Sequence, residues 1–146
     1  MCSTFSSTTG DQALSDKFTV SADWLAPKVA RDRIALFLES SGRPDLVDDA
    51  RVCVSDAVTY MMPRILGPIA VEATLSASHL AVSVGTDVAN QRQGEGQPRT
   101  VEGYPRLRLA GRLADESGIT WTYSPAHKVI CKQVWFKLHR PAEGAE

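Results

Sequence analysis

Cysteine is scarce in this chain. Cys2, Cys53 and Cys131 are odd in number and far apart, with no C-x-x-C pair and no histidine in ligand register. That excludes a disulfide framework and a thiolate zinc site, and no metal ligand set is expected. Long apolar runs are missing as well. No stretch approaches the ~20 residues that cross a bilayer, and the N-terminus lacks a basic segment followed by an apolar one, so the expected address is cytoplasmic with no membrane partner. Nor is there an excess of charge of one sign. Sixteen Lys and Arg against 17 Asp and Glu leave a formal net charge of −1, which gives no long-range pull toward nucleic acid.

What is present is an ordinary globular composition, 43% hydrophobic and 23% charged. A chain of 146 residues suits one domain and buries roughly two thirds of its unfolded surface. Residues 1–16 are rich in Ser, Thr, Gly and Asp, and read as a tail. Phe18 and Val20 alternate with Lys17 and Thr19 as a short strand. A helix follows from Pro27, with Ala30, Ile34, Phe37 and Leu38 at helical spacing, and Gly42 and Pro44 stop it. Asp45 is the expected N-cap of a second helix, whose apolar stripe is Val47, Ala50, Val54, Ala57, Val58 and Met61, closed by Pro63.

Beyond Gly67-Pro68 the apolar period changes to 2. Val71, Ala73 and Leu75, then Leu80, Val82 and Val84, form two strands joined by a hairpin at residues 76–79. Residues 85–103 carry almost no apolar content and read as a long loop of the kind used as a functional lid. Leu107, Ala110, Leu113 and Ala114 make a third, shorter helix, with Gly118 in the left-handed closing position. Ile119, Trp121 and Tyr123, then Val134, Phe136 and Leu138, are the last two strands. The order points to an α/β (α+β) two-layer sandwich, a mixed, mostly antiparallel sheet with about three helices on one face. The folded domain spans 17–139, and 140–146 is a C-terminal tail.

Two segments carry a further signal: Val52-Cys53-Val54-Ser55-Asp56-Ala57-Val58-Thr59-Tyr60 on the second helix, and Lys132-Gln133-Val134-Trp135-Phe136-Lys137-Leu138 on the last strand. In this order and separation they resemble the opening and closing motifs of the histidine-kinase-like ATPase (GHKL, Bergerat-fold) superfamily, in its branch of anti-sigma-factor serine kinases common in actinobacteria. The resemblance covers about residues 17–139 and implies a Bergerat-type fold. In that family the helix carries a Glu that positions the attacking group and, one turn on, an Asn that holds magnesium. Residues four apart share a helix face, so both reach the same phosphate end.

Ser55, Val58 and Thr59 match the family here, as do Leu113-Ala114-Asp115 and Val134-Trp135-Phe136, which are scaffold positions. The nucleotide positions depart from it. Asp56 replaces the Glu and is one methylene shorter, and Tyr60, a poor ligand for a hard cation, replaces the Asn. At the adenine-recognising Asp the spacing places Thr86. Asp87 takes that role only through a one-residue slip that exchanges the faces of the sheet. The Gly-rich phosphate turn is replaced by Tyr104-Pro105-Arg106, where Pro105 lacks an N–H and Arg106 carries a side chain where backbone must approach closely. Gln133 stands where the family has a Thr supporting adenine.

The resemblance therefore implies a degenerate nucleotide pocket, with Asp56 as the vestigial base position and Tyr60, Thr86, Asp87, Arg106 and Gln133 as its altered contacts. No cofactor is expected on this reading. The expected function is that of a pseudokinase-like regulator of transcription acting through protein contacts, with a sigma factor, an anti-sigma antagonist or another regulatory protein as partner, and with a homodimer formed as family members form theirs. The alternative is an active ATP-binding serine/threonine protein kinase (anti-sigma factor) using ATP with magnesium. A small-molecule sensor is a third class. Asp56 also reads as a solvated helix carboxylate, Arg106, Arg108 and Arg112 as a solvated face, and Trp24 and Trp135 as core or as interface anchors. His79, His127 and His139 read as surface histidines without an assigned partner.

Overall fold

The computed structural model describes residues 13–62, 67–86, 99–103, 110–123 and 129–141. Among the described residues there are two long helices. Helix α1 (Ala26–Ser40) has Pro27 in its opening turn and buries Ala26, Ala30, Ile34 and Leu38, one residue per turn along a single stripe. It ends where Gly42 takes a φ of 79°, a left-handed conformation that a side chain disfavours. The closing N–H groups bend back onto the last turn, with Ser41 donating to the Phe37 carbonyl and Arg43 to that of Leu38.

Asp45 does not cap the second helix. The chain takes one 3-10 turn over Pro44–Leu46, and helix α2 (Val47–Met61) follows with Leu46 at its N-cap and no side-chain cap bond. The Asp45 carboxylate is used instead by Arg43, whose Nε and Nη2 each donate to it at 3.0 Å. A bidentate guanidinium competes better for a carboxylate than a lone backbone amide does. Helix α2 buries Ala50, Cys53, Val54, Ala57, Val58 and Met61. Burial among these pushes the Cys53 thiol up to about 12, so it behaves as a small apolar side chain.

Among the described residues six strands make one sheet: β1 (Leu14–Val20), β2 (Ile69–Leu75), β3 (His79–Thr86), β4 (Arg99–Gly103), β5 (Glu116–Tyr123) and β6 (Val129–His139). Their spatial order is β1-β2-β3-β6-β5-β4. Every described pairing is antiparallel, so the parallel component expected of a mixed sheet is not found among the described residues. A short helix α3 (Ala110–Leu113) precedes β5. The α+β two-layer architecture agrees with the apolar periodicities, and no helix among the described residues is long and apolar enough to cross a membrane.

Several boundaries differ from the sequence reading. Strand β1 starts at Leu14, so residues 14–16, read as tail, are paired with β2. Part of the segment read as a long loop is strand: Gly85 and Thr86 belong to β3, and β4 pairs with β5. Residues 87–98 of that segment, the turn at 104–106, Pro63, His127 and the outer parts of both tails lie outside the described residues. Gly118 does not end a helix. It sits inside β5 opposite Trp135, and its φ is not positive.

The core lies between the helices and one face of the sheet. Val71, Val82, Val84, Val134, Phe136 and Leu138 are fully or almost fully buried there, with Ile34, Leu38, Val54 and Val58 on the helices above. Each such side chain contributes about 1.5–3 kcal/mol through removal of apolar surface from water. Alternation along the strands leaves Lys17, Glu72, Gln133, Trp135 and Lys137 on the opposite face.

Candidate functional site

The two helix positions that sequence reasoning singled out lie one turn apart on α2. Asp56 is half-buried and turned toward α3, where its Oδ2 accepts the Ala110 backbone N–H at 2.9 Å. An N–H at the start of a helix has no intrahelical acceptor, and a carboxylate satisfies it well. One carboxylate oxygen at this position thus anchors the chain that begins α3. Tyr60 is half-buried and packs against the apolar core. On the adjoining face of α2, the Ser55 hydroxyl accepts from Arg31 Nη1 at 3.1 Å, which ties α2 to α1.

The remaining predicted positions do not gather around Asp56. Gln133 lies in register with Gly85 and Thr120, on the sheet face turned away from α2. Thr86 closes β3, its backbone paired with Ile69. Asp87 and Arg106 lie outside the described residues, as does Arg108, while Arg112 is exposed on α3. No group of three or more His, Cys, Asp or Glu side chains among the described residues has a metal-holding arrangement.

Polar contacts that sequence reasoning did not assign surround the end of β6. Arg43 is buried, 7% exposed, and besides Asp45 its Nη2 donates to the Arg140 carbonyl at 2.8 Å. Arg140 in turn reaches Asp115 at 2.6 Å and Asp49 of α2 at 3.5 Å. Asp115 also accepts the His139 backbone N–H, and these bonds hold its carboxyl below the usual carboxylate range, the backbone N–H first and Arg140 second. Helix α3 is thereby fastened to α2 on both sides, through Asp56 directly and through the Asp115, Arg140 and Asp49 chain. The contacts span 54 residues in one case and 25 in another, so no local pattern announces them.

Two histidines to which the sequence assigns no partner have polar ones. His139 Nε2 lies 2.6 Å from Glu116 Oε2, and His79 Nδ1 lies 3.0 Å from Ser76 Oγ. Trp24 is 81% exposed, while Trp135 lies on the outer sheet face against Gly118. Compared with models of known protein families, and with curated proteins, the chain matches none.

Proposed function

We propose that this chain is a regulatory protein of the anti-sigma-factor, serine-kinase-like type that works by protein contacts and has lost ordinary use of ATP. The observation that carries this reading is the Asp56 carboxylate accepting the Ala110 N–H. That bond fixes the carboxylate against the start of α3, and turning it away would leave a half-buried donor unpaired, at a cost of about 1–3 kcal/mol. Tyr60, packed on the core one turn away, adds bulk where a hydrated magnesium ion would need oxygen ligands.

Protein contact is supported by the outer side of α1. Leu25 at the helix N-cap, Val29 and Leu36 are exposed there, Leu36 at 63%, and Trp24, 81% exposed, stands in the turn before the helix. Leu25, Val29 and Leu36 share a face by helical spacing; exposed apolar groups of this size commonly mark an interaction surface, and Trp is a frequent anchor. The proposed partners are a sigma factor, an anti-sigma antagonist or another regulatory protein, with a second copy of the chain as a further occupant. The proposed setting is the cytoplasm, with no direct nucleic-acid contact.

Titration calorimetry of the purified chain against candidate sigma factors and antagonists tests the reading. Saturable binding that Trp24→Ala weakens supports it, and absence of binding to every candidate opposes it. The rival, an ATP-dependent serine/threonine kinase with Asp56 as base, draws on the carboxylate retained at position 56. It requires phosphate transfer to a partner that Asp56→Asn abolishes.

A further inference from the structure

We propose that the outer face of α1 is a docking strip for a single amphipathic helix of a protein partner, about three turns long and bearing a Lys or Arg where it meets Glu39; this partner class rests on the reading that the chain works by protein contacts. Leu25, Val29 and Leu36 are exposed. At about 100° per residue they fall within an arc of about 40°, turned away from the stripe of Ala26, Ala30, Ile34 and Leu38 that α1 buries. From Leu25 to Leu36 the strip runs roughly 16 Å at about 1.5 Å per residue, the rise of about three turns.

The strip is held firmly. Beneath it the buried stripe anchors α1, and Arg31 Nη1 donates to Ser55 Oγ of α2 at 3.1 Å. On one side Arg33 is drawn onto β1, where its Nε and Nη2 each donate to Asp16 at 3.0 Å and its guanidinium lies 4.9 Å from the centre of the Phe18 ring. On the other side Lys28 and Asp32 pair with each other at 2.8 Å. The charged side chains thus flank the strip, and the apolar ones lie between them. At its N-terminal end Trp24 stands on a fixed turn: Asp23 donates its N–H to the Ser21 carbonyl at 2.8 Å, and its Oδ1 and carbonyl accept the Leu25 and Ala26 N–H groups at 3.0 and 2.9 Å. A surface already fixed loses little conformational freedom when a partner binds.

Chemistry and size select the occupant. Lys28 with Asp32, and Arg33 with Asp16, already neutralise each other, so these pairs offer little to a highly charged segment. Glu39, exposed one turn beyond Leu36, sets a carboxylate at the C-terminal end and calls for a cation there. An extended peptide binds mainly through backbone hydrogen bonds, and the backbone groups of α1 are spent inside the helix. A helix instead brings apolar anchors at i, i+4 and i+7 along one line. Trp24, Leu25, Val29 and Leu36 together expose a few hundred Å², roughly half of the ~800 Å² per partner in a standard stable interface. That falls short of a permanent pairing with a second copy and suits one docked helix.

Titration calorimetry of the purified chain with three synthetic peptides of equal length tests the proposal. The first is a helix former with Leu at i, i+4, i+7 and i+11 and a Lys at its end, the second has Pro at its centre, and the third has Glu in place of the Lys. The first should bind saturably and the Pro peptide should not, because Pro breaks the helix. The Glu peptide should bind about two- to fivefold more weakly than the first, and Leu36→Gln should weaken the first about tenfold. No binding of the first peptide, equal binding of the Pro or Glu peptide, or binding unchanged in Leu36→Gln would overturn the proposal. So would a dimer of the parent chain in sedimentation equilibrium that Leu36→Gln dissociates, since a second copy would then fill the strip. A sigma factor or antagonist that binds the Leu36→Gln chain as tightly as the parent removes this site and leaves the protein-contact reading standing. Peptide binding through Leu36, with no sigma factor or antagonist bound, opposes that reading and leaves the site.

Discussion

Gly118 lies beneath the indole of Trp135, its register partner on the neighbouring strand. A methyl group placed on Gly118 would stand 2.6 Å from Cζ2, 2.8 Å from Cε2 and 2.9 Å from Nε1 of that ring. Three adjoining ring atoms so near mean that the Nε1–Cε2–Cζ2 side of the indole occupies the space a Cβ would take. The Val134-Trp135-Phe136 segment therefore works on both faces at once, with Val134 and Phe136 fully buried in the core and Trp135 covering the bare backbone outside.

Gly118→Ala should accordingly displace the indole and destabilise the fold by about 1–3 kcal/mol, the range for overpacking. Denaturant unfolding measures it. Adding Trp135→Leu to Gly118→Ala should recover part of the loss, because the obstructing ring is gone; two fully additive losses would contradict the contact.

Asp56→Ala should cost about 1–3 kcal/mol by leaving the Ala110 N–H without its carboxylate acceptor, and Asp56→Asn less, since the amide keeps one acceptor oxygen in place. Hydrogen exchange at Ala110 checks the cause. Its amide should exchange faster in both variants than in the parent. Unchanged exchange in Asp56→Ala would mean that the carboxylate does not hold the start of α3.

Acid should weaken the corner built on Arg43 and Arg140. Asp45 is held below the usual carboxylate range mainly by the Arg43 hydrogen bond, and Asp115 by the His139 N–H and then Arg140. A carboxylate whose folded value is lowered stabilises the fold fully above its unfolded value, near ~4, and loses that contribution as pH falls through the lowered folded value. Thermal melts should therefore fall below about pH 4, and Arg140→Gln should flatten that slope, because Asp115 then loses its salt bridge to the guanidinium and keeps only the His139 N–H. A slope identical in parent and variant would contradict the assignment.

Much of the architecture is written in local patterns. The apolar stripes of α1 and α2 and the alternation in β2 and β3 depend only on which residues recur at which period, and the hairpin between Leu75 and Leu80 sits where the alternation breaks. What escaped is what depends on contacts between distant residues. Strand β4 has little apolar signal of its own in Arg99-Thr100-Val101-Glu102-Gly103 and is a strand because β5 lies beside it. Gly118 has the residue type of a helix stop, and only the ring from another strand shows otherwise. Asp45 has the residue type of a cap, and Arg43 two residues earlier outbids the helix for it. At the candidate site the carboxylate at 56 was legible and its acceptor role toward Ala110 was not, since the two lie 54 residues apart.

The central proposal is that α2 presents no working nucleotide end, supported by the bond from Ala110 to Asp56 and the packing of Tyr60 on the core. Calorimetric titration of the purified chain with ATP, with and without magnesium, tests it most directly. The account predicts no saturable heat at millimolar nucleotide and no change on adding magnesium. Saturable, magnesium-dependent binding, with the fold stabilised by about 2.7 kcal/mol at a hundred times the dissociation constant, would contradict it.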